Sequence, residues 1–234
     1  MNLRDQGNTM LLTVVIPVYN EDSTIDEVIE KIRAVNIPKE IVVVNDGSTD
    51  RTKNILDDAW ANNRISFVHN SPVNQGKGAA VRMGFKYAKG DLVIIQDADL
   101  ELDPNEYYKL IEPFASRDVK VVYGSRFLRS DRNVSIINLI ANKFLVFLTN
   151  LLYGSSLTDM ETAYKVFRTE MIKDIKLECN GFDFEPEITA KILKKGIKIV
   201  EIPIEYHPRT REEGKKVNWK DGIKAIWCLL KFRF

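Results

Sequence analysis

The sequence contains few of the residues that build sulfur and imidazole sites. Its 234 residues include two cysteines, Cys179 and Cys228, and two histidines, His69 and His207. Two cysteines are too few for a disulfide framework or a cysteine-built zinc site, and the histidines do not form an HExxH motif. Any metal ion must therefore be bound mainly by oxygen ligands, which makes the carboxylates the first candidates.

The chain also lacks an excess of charge of either sign. It has 34 lysines and arginines against 33 aspartates and glutamates, which gives a formal net charge of +1. Because a dedicated nucleic-acid-binding protein usually carries a basic excess, this balance argues against nucleic acid as a partner. With 44% hydrophobic and 29% charged residues, the chain is too apolar for a disordered protein, so we expect it to fold.

Long unbroken apolar runs are missing as well. The run at residues 10–18 is short, contains Pro17 and follows a polar tail, which is not typical of a signal peptide. The longest apolar segment, residues 136–153, is interrupted by asparagine, lysine and threonine, so the sequence predicts no transmembrane helix. We expect residues 1–9 to form a flexible tail and residues 10–234 to form a single domain.

Apolar, β-rich runs alternate with helical patterns along the chain. This alternation predicts βαβ units and an α/β fold with a mostly parallel sheet flanked by helices. The ligand of such a sheet lies beyond the carboxyl ends of the strands, so the loops that follow the strands are the candidate site. The predicted strands are residues 11–18, 40–44, 65–68, 91–96, 119–123 and 197–205. The predicted helices are residues 23–34, 79–89, 105–116, 136–153, 185–195 and 219–231.

Two aspartates, Asp97 and Asp99, directly follow a continuously apolar strand. In an extended chain, residues i and i+2 point the same way, so both carboxylates can face one site. Paired carboxylates at a strand exit suit Mg²⁺ or Mn²⁺, which substrate phosphates commonly help to coordinate. Glu101, two residues further on, is a candidate third ligand. The competing interpretation is that these aspartates only cap turns and the next helix.

Other loops after strands carry groups that suit a nucleotide. Asp46, in the sequence NDGS, is a candidate acceptor for a base or ribose, and Gly47 permits close approach of a ligand. Tyr19 offers an aromatic face for stacking on a base. In the sequence NQGKG, Lys77 and the backbone amides at the helix start are candidates to hold a diphosphate, although the spacing is not that of a Walker motif. Each of these features also fits an ordinary turn between a strand and a helix.

Basic side chains cluster in two loops, and guanidinium groups suit phosphate ligands. Loops of mixed charge are usually only solvated, so neither cluster predicts a site by itself. The residues are Arg126, Arg129, Arg132, Arg209, Lys215 and Lys216.

Two apolar helical segments, residues 136–153 and 219–234, fit either of two environments. They can be buried core helices, or they can lie in a membrane interface, where aromatic residues mixed with lysine and arginine suit lipid headgroups. We expect these amphipathic helices to contact a membrane surface.

Eight motifs follow one another in the order PVYNE, NDGS, NQGKG, QDADLELDP, YGSRF, DMETAYKVF, FEPE and PRTREEGKKVNWKDG. In this order they resemble family 2 glycosyltransferases with the GT-A fold, a Rossmann-like nucleotide-binding fold. The similarity is to polyprenyl-phosphate (dolichol-phosphate) mannosyltransferase-like enzymes and covers about residues 10–230. It implies inverting transfer of a hexose from a nucleotide sugar, GDP-mannose or a UDP-sugar, to a polyprenyl phosphate.

The resemblance also implies roles for individual residues. Asp97, Asp99, Arg126 and Arg209 would be catalytic, and the metal, Mg²⁺ or Mn²⁺, would face Asp97, Asp99 and Glu101. The nucleotide sugar would contact Pro17, Tyr19, Glu21, Asp46, Lys77 and Asp97. The acceptor phosphate would contact Arg126, Arg132, Arg209 and Lys215. Asp159 and Glu187 match acidic positions of the later motifs. The family often has glutamine in place of Glu101, and the arginine that usually precedes the long amphipathic helix is missing, with Arg132 nearby.

The chemistry is consistent with a phosphate acceptor, because a phosphate is already ionised near neutral pH and needs no general base. The resemblance further implies a cytoplasmic enzyme attached peripherally to the membrane, with a separate small membrane protein as a candidate partner. Three alternatives stay open. One is transfer to a sugar or protein hydroxyl, with Asp159 or Glu187 as the base. The others are a sugar nucleotidyltransferase and a non-catalytic membrane-bound partner with the same fold.

Overall fold

The structure is a computed structural model that describes residues 10–129, 136–208 and 219–234. The predicted tail, residues 1–9, lies outside the described residues. Seven strands of the described chain form one sheet in the order β3-β2-β1-β4-β6-β5-β7. They are β1 (Leu12–Val18), β2 (Lys39–Asn45), β3 (Phe67–Asn70), β4 (Leu92–Ile95), β5 (Val121–Ser125), β6 (Lys165–Arg168) and β7 (Ile199–Pro203).

Helices connect most of these strands and cover both faces of the sheet. They are α1 (Ile25–Ala34), α2 (Thr52–Ala61), α3 (Lys77–Tyr87), α4 (Tyr107–Ile111), α5 (Ile136–Tyr153), α6 (Thr169–Lys173), α7 (Phe184–Lys194) and α8 (Trp219–Arg233). One buried cluster joins β1 to α1 and α4 through residues such as Ile16, Ile29 and Leu110. A second cluster, on alternate residues of the same strands, includes Val15 and Ile188. The predicted sheet flanked by helices is therefore confirmed, and its central strands are buried on both faces.

The predicted mostly parallel sheet is also confirmed, with one exception. β6 pairs antiparallel with both β4 and β5, and the other pairs are parallel. The sequence did not predict β6, because it is only four residues long and begins with a lysine. Lys165 is nevertheless fully buried, and its partners are described below.

The prediction of one continuous helix at residues 105–116 is wrong. The segment is divided into a 3₁₀ turn at Pro104–Glu106, the short helix α4 and a second 3₁₀ turn at Glu112–Ala115. Pro113 lacks the backbone N–H that would continue the α-helical hydrogen bonding, and this explains the break. The predicted strand at residues 65–68 begins two residues later, at Phe67.

Pro17 lies inside β1, where a missing N–H group would usually weaken a sheet. On one side, β1 pairs with β2 along its whole length, and Pro17 is opposite Val44. On the other side, the pairing with β4 ends at Val15. The proline is tolerated because it lies beyond the end of that second ladder, at the point where the sheet opens toward the candidate site.

Gln96 fixes the turn that follows β4. Its side chain is fully buried, and its Oε1 accepts hydrogen bonds from the hydroxyls of Tyr107 (2.6 Å) and Tyr164 (2.8 Å). Its Nε2 donates to the backbone carbonyl of Asp97 at 3.1 Å. Buried polar groups are costly unless they are paired, so these three hydrogen bonds of the Gln96 amide hold the start of the Asp97–Glu101 turn in one place.

Helices α5 and α8 pack against each other around a third buried cluster that includes Leu145, Ala225 and Leu229. The hydroxyl of Tyr153 donates to the carbonyl of Leu229 at 2.7 Å and joins the ends of the two helices. Among the described helices, none combines the length and the apolar character needed to cross a membrane.

Candidate active site

The loops that follow β1, β2 and β4 are joined to one another at one edge of the sheet. The backbone amide of Asn20 donates to Ser48 Oγ at 3.0 Å, and that of Glu21 donates to Thr52 Oγ1 at 3.0 Å. The Thr24 hydroxyl donates to the carbonyl of Ala98 at 2.9 Å. The structure therefore brings the predicted residues of these three loops together, with Tyr19 partly exposed and both Glu21 and Pro17 buried.

Asp46 orients the NQGKG turn. Its Oδ1 accepts the backbone N–H of Gln75 at 2.9 Å, and its Oδ2 accepts that of Gly76 at 2.7 Å. Gly47, which follows, has φ of +71°, and a Cβ there would lie 2.5 Å from the carbonyl carbon of Val73. Only glycine fits this close approach. Asp46 thus has a positioning function that the sequence did not predict, and its contact with a nucleoside stays a prediction.

Lys77, at the start of α3, joins two further elements. Its ammonium group lies 2.8 Å from Asp97 Oδ1, just after β4, and 3.2 Å from Glu185 Oε1 on α7. Burial disfavours the charged ammonium, but the two carboxylates outweigh that effect and raise the pKa of Lys77. Lys77 is therefore a permanent cation that fixes Asp97, rather than a side chain extended into solvent.

Glu185 is shared by a second lysine. The ammonium group of Lys165 contacts Glu185 Oε2 and the carbonyl of Thr162, and it lies 4.9 Å from the ring centre of Tyr123. Because Lys165 and Glu185 are both buried, removal of Glu185 would leave the ammonium group of Lys165 in the interior without the carboxylate that it contacts. The ion pairs of Glu185 with Lys77 and with Lys165 therefore link α7 to α3 and to β6, next to Asp97.

Arg126, just after β5, is paired with Asp159. Its Nε lies 2.7 Å from Oδ2 and its Nη2 lies 2.9 Å from Oδ1, which is a bidentate arrangement. Burial opposes the charge of this guanidinium, but Asp159 more than offsets it and raises the pKa of Arg126. The ring of Tyr206 lies 5.1 Å from the guanidinium carbon. The structure thus positions Arg126 firmly, although the predicted phosphate contact is not tested by this pairing.

Glu201, on β7, supports this pair from behind. Its carboxylate accepts the backbone N–H groups of Thr158 (2.8 Å) and Asp159 (3.0 Å). Burial raises the pKa of Glu201 even though these amides favour its charged form. Through Glu201, the edge strand β7 fixes the loop that presents Asp159 to Arg126.

Glu161 lies between the two ion-pair groups. Its Oε1 is buried, and it has no hydrogen-bond partner within residues 10–129, 136–208 and 219–234. Burial and the negative charge of Glu185 raise its pKa to about 7, against the opposing effect of Lys165 and Arg126. Near neutral pH, Glu161 is therefore poised between the protonated and the ionised form.

Asp99 and Glu101 lie on the same turn as Asp97. Asp99 is mostly buried, and its Oδ1 accepts the N–H of Glu101 at 3.1 Å. Glu101 is held from the other side, because the Tyr206 hydroxyl donates to its Oε2 at 3.1 Å. In the described part of the chain, no group of three or more histidine, cysteine, aspartate or glutamate side chains is arranged to hold a metal ion. The oxygen ligands at this turn suit Mg²⁺ or Mn²⁺, and further ligands would have to come from a bound substrate.

Glu187, on α7, contacts the loop before that helix. Both of its oxygens accept backbone amides, from Glu178 (2.7 Å) and Cys179 (2.8 Å), and Lys191 lies 2.6 Å from its Oε1. Glu187 therefore anchors the loop before α7. Residues 185 and 187 lie on different faces of α7, and Glu185 is the one that reaches the candidate site. The role of Glu187 as a base stays a prediction.

Other predicted residues, Arg132, Arg209, Lys215 and Lys216, lie outside the described residues. Sequence reasoning missed a further set that the structure places in or beside the site. These are Glu161, Lys165, Glu185 and Glu201. A lysine at the start of an otherwise apolar run, TAYKVF, and the two glutamates of FEPE were the available signals.

Comparisons with known proteins agree with this geometry. The profile of Glycosyl transferase family 2 matches residues 13–176. A hexosyltransferase of low-salt glycan biosynthesis, Agl6 from Haloferax volcanii, is 32% identical over 94% of this chain, which spans 53% of the length of that relative. A dolichyl-phosphate beta-glucosyltransferase, ALG5D from Trichomonas vaginalis, is 28% identical over 94% of this chain and 72% of its own length.

The fold is similar to that of solved structures. Glucosyl-3-phosphoglycerate synthase from Mycobacterium tuberculosis, in complex with Mn²⁺, UDP and glucosyl-3-phosphoglycerate, superposes with a TM-score of 0.72 at 22% identity. The match covers 95% of this chain and 80% of that one. The predicted GT-A fold is thereby confirmed. With a family match over most of its length and this strand order, the chain belongs to glycosyl transferase family 2.

Proposed function

We propose that this chain is a metal-dependent inverting glycosyltransferase that moves a hexose from a nucleoside diphosphate sugar to a polyprenyl phosphate. One observation carries the proposal. The turn that follows β4 places three acidic side chains together, and the ammonium group of Lys77 orients the first of them. The three are Asp97, Asp99 and Glu101.

The negative charge of this turn would repel a diphosphate, which is itself negative. A divalent cation offsets that repulsion when it is shared between carboxylate and phosphate oxygens. In the proposed site, Asp97 and Asp99 hold such an ion together with Glu101, and Lys77 keeps Asp97 oriented from the other side. When bound, the ion would supply Lewis-acid stabilisation of the departing nucleoside diphosphate.

The remaining roles follow from the positions of the loops. We propose that the nucleotide-sugar site lies at the carboxyl ends of β1 and β2 and at the start of α3. It would be lined by Pro17, Tyr19, Glu21, Asp46 and Lys77. We further propose that Arg126 contacts the acceptor phosphate together with three residues outside the described ranges, Arg132, Arg209 and Lys215. Guanidinium and ammonium groups would reduce the repulsion between the two phosphate-bearing substrates, and the proposed reaction needs no general base.

A phosphate acceptor is supported by the contacts of Asp159 and Glu187, the two carboxylates considered as bases for a hydroxyl acceptor. Asp159 is held by Arg126, and Glu187 is held by backbone amides. The relatives add support, since one of them is named for transfer to dolichyl phosphate. The family match and the Tyr19–Asn20–Glu21 sequence after β1 do not favour the sugar nucleotidyltransferase. Neither the described residues nor the relatives support a separate membrane-protein partner, so the proposal does not include one.

One observation favours a second candidate, transfer to a hydroxyl group. Glu161, with a pKa near 7 and a buried oxygen without a hydrogen-bond partner in the described ranges, has the properties of a general base. A hydroxyl acceptor would require that base, whereas a phosphate acceptor would not.

The two candidates are separated by an acceptor assay. We expect radiolabelled hexose to pass from a screened nucleotide sugar into the organic phase with a short polyprenyl phosphate, and not with the matching polyprenol.

Asp99→Asn should reduce transfer by about 100-fold or more, because it removes a metal-binding charge. Glu161→Gln should retain most activity. Transfer to the polyprenol or to a sugar, abolished by Glu161→Gln, would support the hydroxyl acceptor and overturn the phosphate one. Full activity of Asp99→Asn would refute the metal site.

The raised pKa of Glu161 predicts a pH-dependent stability. The folded state retains this proton up to about pH 7, whereas the unfolded chain releases it near pH 4.5. The contribution of Glu161 to the free energy of unfolding therefore falls as pH rises between these values. Relative to the wild type, Glu161→Gln should gain on the order of 2 kcal/mol between pH 5 and pH 8. Urea unfolding at both pH values measures this, with the exposed Glu170→Gln as the control. If the free energy of unfolding of Glu161→Gln differs from that of the wild type by the same amount at both pH values, the prediction is contradicted.

We also propose that the enzyme attaches peripherally to a membrane surface. Helix α5 exposes Ile140, Phe144, Phe147 and Leu151. Helix α8 exposes Ile223, Trp227 and Leu230, and Phe234, which directly follows α8, is exposed as well. Both sets repeat at intervals of three or four residues, so each forms one apolar stripe on its helix. Exposed basic residues lie on the same two helices, and they suit anionic headgroups. They are Lys143, Lys224, Lys231 and Arg233.

A charge placed in either stripe should weaken membrane binding. Phe147 is 63% exposed and Trp227 is 68% exposed, so Phe147→Glu and Trp227→Glu should fold normally. In co-sedimentation with vesicles of phosphatidylglycerol and phosphatidylcholine, we expect each variant to lose binding by about tenfold. The control, Trp60→Glu, changes an exposed aromatic residue on α2 and should bind like the wild type. Equal binding of all the variants would contradict the attachment surface.

A further inference from the structure

The two cysteines of the chain lie side by side, although 49 residues separate them in sequence. Cys179 is in the loop between α6 and α7, and Cys228 is on α8. Their sulfur atoms are 4.0 Å apart, and both are free thiols. The proposed transfer reaction uses neither of them.

We propose that Cys179 and Cys228 form a reversible disulfide. This disulfide would join α8 to the loop between α6 and α7, which contacts the first turn of α3 beside Lys77. A disulfide has an S–S bond of about 2.05 Å, so the two sulfur atoms must approach by roughly 2 Å for the bond to form. Oxidation would be carried out by a small-molecule disulfide such as oxidised glutathione.

The environments of the two thiols determine the order of the steps. Cys179 is partly exposed, whereas Cys228 is buried and its Sγ–H donates to the carbonyl of Asp183 at 3.3 Å. The contact with Cys179 and burial both raise the pKa of the Cys228 thiol. A small disulfide therefore reaches Cys179 first, and Cys228 acts as the resolving thiol.

The exchange balances in two steps. The Cys179 thiolate attacks one sulfur of the oxidised glutathione, which forms a mixed disulfide and releases one glutathione thiolate. Cys228 then gives up its proton, attacks the Cys179 sulfur and releases the second glutathione thiolate. Both released thiolates take up the protons lost by the protein thiols. Two protein thiols are thus oxidised, and one glutathione disulfide is reduced to two thiols.

The backbone at Cys179 and Asn180 contacts the start of α3, which carries Lys77 of the proposed nucleotide-sugar site. Its N–H donates to Glu187, its carbonyl accepts a hydrogen bond from Arg82, and the next carbonyl, that of Asn180, accepts the N–H of Ala79 at 3.2 Å. A Cβ at Gly78 would lie 2.5 Å from the Cys179 carbonyl oxygen, so the loop and the first turn of α3 are in close contact. A disulfide at Cys179 would therefore link this turn to α8, which carries the exposed stripe with Trp227.

The effect of the disulfide on glycosyl transfer depends on the proposed function, but its formation does not. The test therefore uses a readout that is independent of activity. The full chain is incubated with oxidised glutathione, and its free thiols are counted after denaturation. We expect the count to fall from two to zero, with a mass loss of about 2 Da, a monomeric band on a non-reducing gel and full recovery with dithiothreitol. The melting temperature of the oxidised form should rise by about 5 to 10 °C.

Serine variants provide the matched controls, since each leaves a single thiol. Cys228→Ser should stop at a glutathione adduct on Cys179, and Cys179→Ser should react slowly because Cys228 is buried. The wild-type thiol count alone decides the matter if either variant fails to fold. Two separate glutathione adducts, disulfide-linked dimers or two thiols that persist in excess oxidised glutathione would each overturn the proposal. A disulfide that forms normally in a chain without transferase activity would refute only the proposed function.

Discussion

The ammonium group of Lys77 joins three elements of the fold, because it contacts Asp97 after β4 and Glu185 on α7 from its own position at the start of α3. The turn before Lys77 is held by Asp46 at the end of β2, and Glu185 is also held by Lys165 on β6. One buried charge network therefore fixes the elements that surround the candidate metal site. In a buried network, the loss of one charge leaves its partner uncompensated, so each member constrains the others.

This network would allow the proposed site to keep several carboxylates and still bind phosphates. The fixed cations orient individual carboxylates but do not neutralise all of those described, and Glu161 reduces the remaining charge when it is protonated. A divalent ion shared with a diphosphate would complete the balance. The same arrangement would separate the two proposed substrates, because Lys77 lies on the β4 and α3 side of the site, while Arg126 lies just after β5 and Asp159 lies in the loop before β6.

The sequence predicted most of the sheet and the loops at its carboxyl edge, because apolar runs and turn residues are local signals. Asp46, Lys77, Asp97 and Arg126 all lie at the predicted edge. Their partners were not predictable in the same way, since Glu185 and Glu201 reach the site only through the packing of α7 and β7. Short β6 was missed because its buried Lys165 depends on a carboxylate 20 residues away. Sequence spacing alone did not show which glutamate of α7, Glu185 or Glu187, contacts Lys77.

The account depends most on a metal ion that Asp97 and Asp99 hold jointly with substrate phosphates. Electron paramagnetic resonance of Mn²⁺, titrated with and without UDP or GDP, measures this directly. We predict weak binding to the protein alone and a tightening of about tenfold or more with the preferred nucleotide. Asp99→Asn should lose this tightening, whereas Asp103→Asn, which changes the cap of the following 3₁₀ turn, should keep it. Nucleotide affinity that is unaffected by Mn²⁺ and by Asp99→Asn would contradict the account.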